Sequence, residues 1–347
     1  MMSMYEIIRP LLFRLDPERA HDLTLKMLSS VGNVPPLRVV LAQFFKVENP
    51  ALRVQAFGLS FPNPVGLAAG YDKDGVAAAG LASLGFGHIE LGTVTPHGQA
   101  GNPRPRIFRL PEDGALINRM GFPNAGADAL LERLQRLRRP GVVLGINIGK
   151  GVDTPLERAS EDYLTLMWSF APIADYLAVN ISSPNTVGLR RLQARNFLEG
   201  LLAAIAGERE KIQKKVGKAV PILVKLAPDL SLEEIEDAVG VIYDSGMDGV
   251  IATNTTVERD NLHSMNASET GGLSGVPLRE RATEIVRHIH NITQGRLPIV
   301  GVGGIRSASD AREKFNAGAS LVQVYTGLVY SGPGIVRDIL HGLLQAE

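Results

Sequence analysis

The stretch Ala178-Val-Asn-Ile-Ser-Ser-Pro-Asn185 holds a dense set of groups able to do chemistry. The apolar run Tyr176 to Ile181 reads as a buried strand that stops abruptly in two serines, a proline and an asparagine. Asn180 keeps the strand register, and Pro184 fixes the backbone so that Ser183 and Asn185 are aimed rather than mobile. One such ending is an ordinary polar turn. Its weight comes from recurrence: other apolar runs end in Ala69-Gly70-Tyr71-Asp72-Lys73, Thr93, Asn147-Ile148-Gly149, Lys225, Thr253-Asn254-Thr255, Gly301-Val-Gly-Gly304 and Tyr325-Thr326-Gly327. The last two endings, Gly301-Val-Gly-Gly304 and Tyr325-Thr326-Gly327, let backbone N–H groups approach an anion closely, which suits a phosphate. Lys225 is costly to bury unless an electron-rich group faces it. A reduced flavin is one such group, and a carbonyl substrate forming a Schiff base is another, so Lys225 alone leaves both open.

Positioning these endings on one face requires a repeating scaffold. Apolar runs read as strands at Val65 to Ala68, His88 to Thr93, Val142 to Ile148, Tyr176 to Ile181, Ile222 to Leu226, Gly249 to Thr253, Pro298 to Val302 and Leu321 to Tyr325. Helical periodicity separates several of them, over Ala125 to Arg138, Leu198 to Lys215, Leu232 to Asp244, Leu278 to His290 and Ser309 to Ala317. The alternation predicts an α/β fold, a (β/α)8 TIM barrel whose C-terminal strand ends form the active site. A doubly wound open sheet is the alternative, and the lack of a Gly-x-Gly-x-x-Gly turn after an early strand argues against it. Hairpins are expected at Arg53 to Phe61 about Gly58, and at Arg106 to Leu110 with Ala115 to Asn118. Ahead of the barrel, residues 1 to about 31 read as two amphipathic helices, the second starting at Asp16-Pro17-Glu18. Pro35-Pro36 and Asn49-Pro50 read as a linker, which divides the chain into an extension, 1–52, and a barrel, 53–347.

With 36 basic and 36 acidic residues and no basic stripe, the chain is not expected to bind nucleic acid. It has no cysteine, which excludes disulfides, thiolate nucleophiles and cysteine-ligated clusters. No run of apolar residues is long enough to span a bilayer, and the N-terminus lacks the pattern of a signal or transit peptide. The expected location is the cytosol or the cytoplasmic face of the cell membrane, rather than the inner mitochondrial membrane.

Together Gly66-Leu-Ala-Ala-Gly-Tyr-Asp-Lys-Asp-Gly75, Glu90-Leu-Gly-Thr-Val-Thr-Pro96, Ile117-Asn-Arg-Met-Gly-Phe122, Gly145-Ile-Asn-Ile-Gly-Lys150, Asn180-Ile-Ser-Ser-Pro-Asn-Thr186, Val224-Lys-Leu-Ala-Pro-Asp229, Ile251-Ala-Thr-Asn-Thr-Thr256 and Thr270-Gly-Gly-Leu-Ser-Gly275 resemble the class 2, quinone-reducing dihydroorotate dehydrogenases. The likeness runs from about Leu15 to the C-terminus. It implies oxidation of dihydroorotate to orotate in pyrimidine biosynthesis, with hydride passing to FMN and electrons then leaving to a membrane quinone. By the resemblance, FMN is held by Ala69, Gly70, Lys73, Thr93, Asn147, Asn180, Lys225, Thr253 and Gly275, with its phosphate on Gly304, Tyr325 and Thr326. The substrate is gripped by Lys73, Asn118, Arg119, Met120, Gly121, Phe122, Asn180, Asn185, Asn254 and Thr255. Ser183 is the base, in the place of the cysteine that class 1 relatives use.

The same resemblance makes the N-terminal helices a quinone mouth, with His21, Arg109 and Tyr325 near the head group. It further implies peripheral membrane contact, a monomer and no metal. Dihydrouridine synthases and aldolases share the barrel expectation. The former usually carry a catalytic cysteine and a basic face, both missing here, and the latter would be colourless.

Overall fold

The structure, a computed structural model, describes residues 4–137 and 141–345. Met1 to Ser3, Arg138 and the last two residues, which the sequence reading assigned to the extension, a helix end and the barrel, lie outside the described residues. Eight parallel strands close on themselves: β1 Val65–Leu67, β2 His88–Val94, β3 Val143–Ile148, β4 Tyr176–Asn180, β5 Ile222–Leu226, β6 Gly249–Ala252, β7 Ile299–Val302 and β8 Leu321–Val324. Closure is made where β8 pairs with β1, Val322 opposite Val65 and Val324 opposite Leu67. That pairing rules out the open sheet. Every residue of these strands is buried. They therefore read in sequence as continuous apolar runs rather than alternating ones, as strands covered on both faces do.

Two apolar layers hold the barrel. Outside, Leu67, Ile89, Ile146, Val179, Val224 and Val322 pack against the surrounding helices in one core that includes Leu130, Leu166, Leu202, Ile242, Ile285 and Val336. Inside, Tyr176, Ala178, Leu223, Ile251, Val300 and Leu321 meet Phe61 of the Val54–Ala56 and Leu59–Phe61 hairpin. Phe57 of that hairpin lies against Gly249 at the start of β6, so the hairpin plugs the N-terminal end of the barrel. Polar chemistry is left to the opposite end.

The extension holds three helices where the sequence reading expected two: α1 Met4–Arg14, α2 Pro17–Asn33 and α3 Pro35–Phe45. The Pro35-Pro36 pair opens α3 instead of forming a linker, because proline at a first helical position lacks only an N–H that has no intrahelical partner there. Asp16 caps α2, its Oδ1 accepting from the backbone N–H groups of Glu18 at 3.1 Å and Arg19 at 3.0 Å. Helix α2 lies on α4, Ala78–Ala82, at a contact only glycine permits: a Cβ on Gly80 would stand 2.1 Å from the Leu28 carbonyl oxygen. On the outer side Ile7, Leu11 and Phe44 are 65%, 62% and 65% exposed.

A second sheet roofs the barrel. The expected hairpin, Ile107–Leu110 with Ala115–Asn118, gains a third strand, Gly272–Gly275, which comes from the long loop after β6. Its glycines kept that strand out of any apolar pattern. Phe108, Leu110, Ala115, Ile117 and Leu273 form the sheet's own apolar cluster.

Candidate active site

Between the strand ends and this roof lies a cavity of about 1110 Å³, counting the space at its mouth that is open to solvent, whose walls combine apolar surface with convergent polar groups. Ala69, Gly70, Lys73 and Thr93 line it from the first two strands, Asn180, Ser183 and Asn185 from the fourth, and Lys225, Thr253, Asn254 and Thr255 from the next two. Gly304, Tyr325 and Thr326 line it from the last two. The roof and the loop beside it add Asn118, Met120, Gly121, Phe122 and Gly275. Residues separated by as much as the length of the barrel thus share one chamber.

Two residues of the expected flavin and substrate set stand apart. Asn147 is fully buried beneath the wall. Its Oδ1 accepts from Thr93 Oγ1 and, at 3.0 Å, from Asn180 Nδ2, so it orients both side chains that face the cavity. Arg119 points away, its guanidinium paired with Glu269 at 2.6 Å and lying over the Phe108 ring.

Below the asparagines sits a carboxylate that the sequence reading did not place in the site. Glu90 is fully buried and accepts from Asn147 Nδ2 at 2.8 Å, Tyr176 OH at 3.0 Å and Gln323 Nε2 at 2.9 Å. Its Oε1 is 3.9 Å from Lys225 Nζ, close enough to balance charge and too far for a hydrogen bond. Burial pushes the Lys225 ammonium toward neutrality and Glu90 opposes that. Glu90 and Gln323 were both visible as polar residues inside apolar runs, and that was the available sign of a buried pair.

At the other end of the chamber the Ser183 hydroxyl accepts the Asn185 backbone N–H at 3.3 Å, and Asn185 Nδ2 donates to Asn118 Oδ1 at 3.1 Å. Asn254 Nδ2 donates to Ser182 Oγ at 3.0 Å. These bonds preset the amides for a ring that both donates and accepts hydrogen bonds. Lys73 donates to the Gly70 carbonyl at 2.6 Å, and burial pushes its ammonium down to about 8. Gly304 has φ of +74°, and a Cβ there would meet Arg279 at 2.3 Å, so backbone rather than side chain faces the cavity at this point. Thr326, whose hydroxyl is 2.8 Å from Ser274 Oγ, lines the same chamber, so backbone and hydroxyl groups there are available to an anion. Lysine ammonium groups, amides, and backbone and hydroxyl groups lining one chamber suit a flavin cofactor that carries an anionic group.

His21 and Arg109 do not line the cavity. Burial and the charge of Lys73 push His21 down to about 3, which keeps it neutral. Its ring contacts Tyr71, centroids 4.9 Å apart, and Tyr71 contacts Tyr325 at 5.7 Å, so aromatic rings connect α2 to the chamber. Arg109 lies on the Phe13 ring and donates to the carbonyls of Phe13 at 3.0 Å and Leu15 at 2.9 Å. It ties the extension to the roof.

A sequence model of the dihydroorotate dehydrogenase family matches residues 51–346. Among curated proteins, the dihydroorotate dehydrogenase (quinone) of Roseiflexus sp. is 53% identical over 99% of this chain and 94% of its own length. The protein of the same name from Azotobacter vinelandii is 51% identical over 98% and 96%. Among solved structures, the Eimeria tenella enzyme in complex with ferulenol superposes with a TM-score of 0.87 at 40% identity, covering 95% of this chain and 91% of that one. Fold, cavity and relatedness agree over nearly the whole length, and the chain belongs to the dihydroorotate dehydrogenase family, whose members are flavin-dependent dehydrogenases.

Proposed function

We propose that the protein oxidises dihydroorotate to orotate in pyrimidine biosynthesis, using FMN, and passes the electrons to a membrane quinone. The observation that carries this is the single chamber lined by Ser183, Lys73, Asn118, Asn180, Asn185, Asn254, Lys225, Gly304 and Thr326. FMN, when bound, supplies the hydride acceptor. Ser183 takes the C5 proton of the substrate, and Asn185, through its backbone N–H, holds the hydroxyl in position. As it takes the C5 proton the hydroxyl gives up its own to solvent, so that serine ends the step neutral. Lys73 binds the substrate carboxylate, while Asn118, Asn180, Asn185 and Asn254 read the ring amides, with Thr255, Met120, Gly121 and Phe122 closing the walls. Lys225, in the chamber wall, would supply positive charge to an anionic reduced flavin.

Residues 1–52 serve as the quinone mouth and 53–347 as the catalytic barrel. Among the described residues no helix is long and apolar enough to cross a membrane. The exposed Ile7, Leu11, Leu37 and Phe44 instead suit the interface, with the monomer held on the cytoplasmic face of the cell membrane. His21, Tyr71 and Tyr325 line the route from that surface to the cofactor.

The test is anaerobic reduction of the yellow holoprotein by dihydroorotate, followed by reoxidation. Rapid bleaching and recovery with quinone is the expected result. Recovery with a nicotinamide and not with quinone would rule out the acceptor, and no bleaching would rule out the substrate.

A further inference from the structure

The barrel loop after β2 connects the extension to the substrate end of the chamber through buried polar groups. Glu18 on α2 is buried, and so is Arg106. Arg106 Nη2 lies 2.8 Å from Glu18 Oε1, and Nε is 3.2 Å from both carboxylate oxygens. Arg104, largely exposed, adds a second cation at 2.9 Å from Oε1. The other arm of the Arg106 guanidinium donates to the carbonyls of Ala100 at 2.7 Å and Asn102 at 2.8 Å. Asn102 carries the connection onward: its Nδ2 donates to the carbonyls of Arg119 at 3.0 Å and Asn185 at 3.2 Å, and its N–H donates to Met120 O at 2.9 Å. Gly121 packs on the same amide, where a Cβ would come within 2.8 Å of Asn102 Cγ. Glu18 in the extension is thus three bonded steps from the backbone that presents Asn118, Met120 and Asn185.

We propose that Glu18, Arg106 and Asn102 form a strut through which the N-terminal extension holds the substrate loop and Asn185 in binding geometry, making Glu18 a positioning residue for the dihydroorotate half-reaction. This rests on the assignment of Asn118, Met120, Gly121, Phe122 and Asn185 to the substrate. A bare buried guanidinium is expensive, so loss of the Glu18 charge frees Arg106 to seek other partners and releases the carbonyls that it pins. The extension then acts on both half-reactions: it receives quinone on one side and sets substrate affinity on the other.

The test uses full-length holoprotein with Glu18→Gln, Asn102→Ala and the double variant. Orotate affinity is read from the flavin absorbance change, and flavin reduction is followed at increasing dihydroorotate. Each single variant is expected to raise the orotate Kd and the KM about tenfold, with the limiting reduction rate within about twofold of the parent. The double variant should be no weaker than the worse single one, because both act through one chain. An unchanged Kd in Glu18→Gln, even with a lowered melting temperature, would show that the pair is only structural and overturn the proposal, as would additive losses. Should Glu18→Gln not fold, Asn102→Ala carries the same comparison. Asn118→Ala separates the premises: if it weakens orotate while Glu18→Gln does not, the strut alone fails, and if neither does, the substrate assignment fails.

Discussion

Lys225 and Glu90 face each other inside the barrel with almost no exposure, and each makes the other tolerable there. Lys225→Met leaves Glu90 without its cation, and the cavity without the positive charge that an anionic reduced flavin needs. The variant should lose flavin or hold it at a lower potential, and an unchanged potential would remove Lys225 from that role. Ser183→Ala is expected to keep flavin and orotate binding while slowing flavin reduction by roughly 10²- to 10⁴-fold, as loss of a general base does. Stopped-flow reduction at parent rates would reject the assignment. Lys73 gives a pH signature. With its ammonium pushed down to about 8, the group is charged below that pH and neutral above it in the free protein. A carboxylate ligand prefers the charged form, so the orotate Kd should rise as pH passes about 8, and titration of Lys73→Met should lose that inflection. A flat profile would show that another cation holds the carboxylate.

Among the elements, the α2–α4 contact has the least tolerance. Gly80 lies against the Leu28 backbone, where a methyl group would overlap the carbonyl oxygen. Alanine favours a helix over glycine by about 1 kcal/mol, but here the clash forces α2 outward. Gly80→Ala should therefore lower stability by ~1–3 kcal/mol. Equilibrium denaturation checks this, and a more stable variant would show that α2 shifts without cost. The roof strand Gly272–Gly275 shows the same dependence on neighbours, since its pairing with Ala115–Asn118 brings Ser274 and Gly275 over the cavity.

For the whole molecule, the contacts change what a truncation should do. Helices that served only as a quinone mouth could be removed, as residues 1 to about 40, without touching the dihydroorotate half-reaction. The structure gives the extension two attachments with different consequences. Removing residues 1–14 takes away exposed apolar surface and the Phe13 contact of Arg109 while leaving the Glu18 pair intact. That truncation should keep reduction by dihydroorotate and lose long-chain quinone reduction and vesicle binding. Removing residues 1–45 also strips Glu18 from Arg106, so substrate affinity should fall as well. Equal dihydroorotate KM values for the two truncations, from anaerobic reduction, would contradict this.

Sequence by itself determined the strand runs, the polar residues at their ends, the absent cysteine and the family resemblance. These are legible because side-chain spacing along a strand, and the residue types where it stops, are local properties. Closure of β8 on β1 was decided by tertiary structure, since strand tilt and register around a barrel are collective. So were the bond between Gln323 and Glu90, 233 positions apart, and the pairing of Glu18 with Arg106 across 88. The same holds for Arg119, whose place in the Ile117-Asn-Arg-Met-Gly-Phe122 stretch suggested a ligand contact, while Glu269 and Phe108 draw it to the outer side of the roof. A charged side chain goes where a partner and a ring face are within reach, and only the assembled fold says which those are.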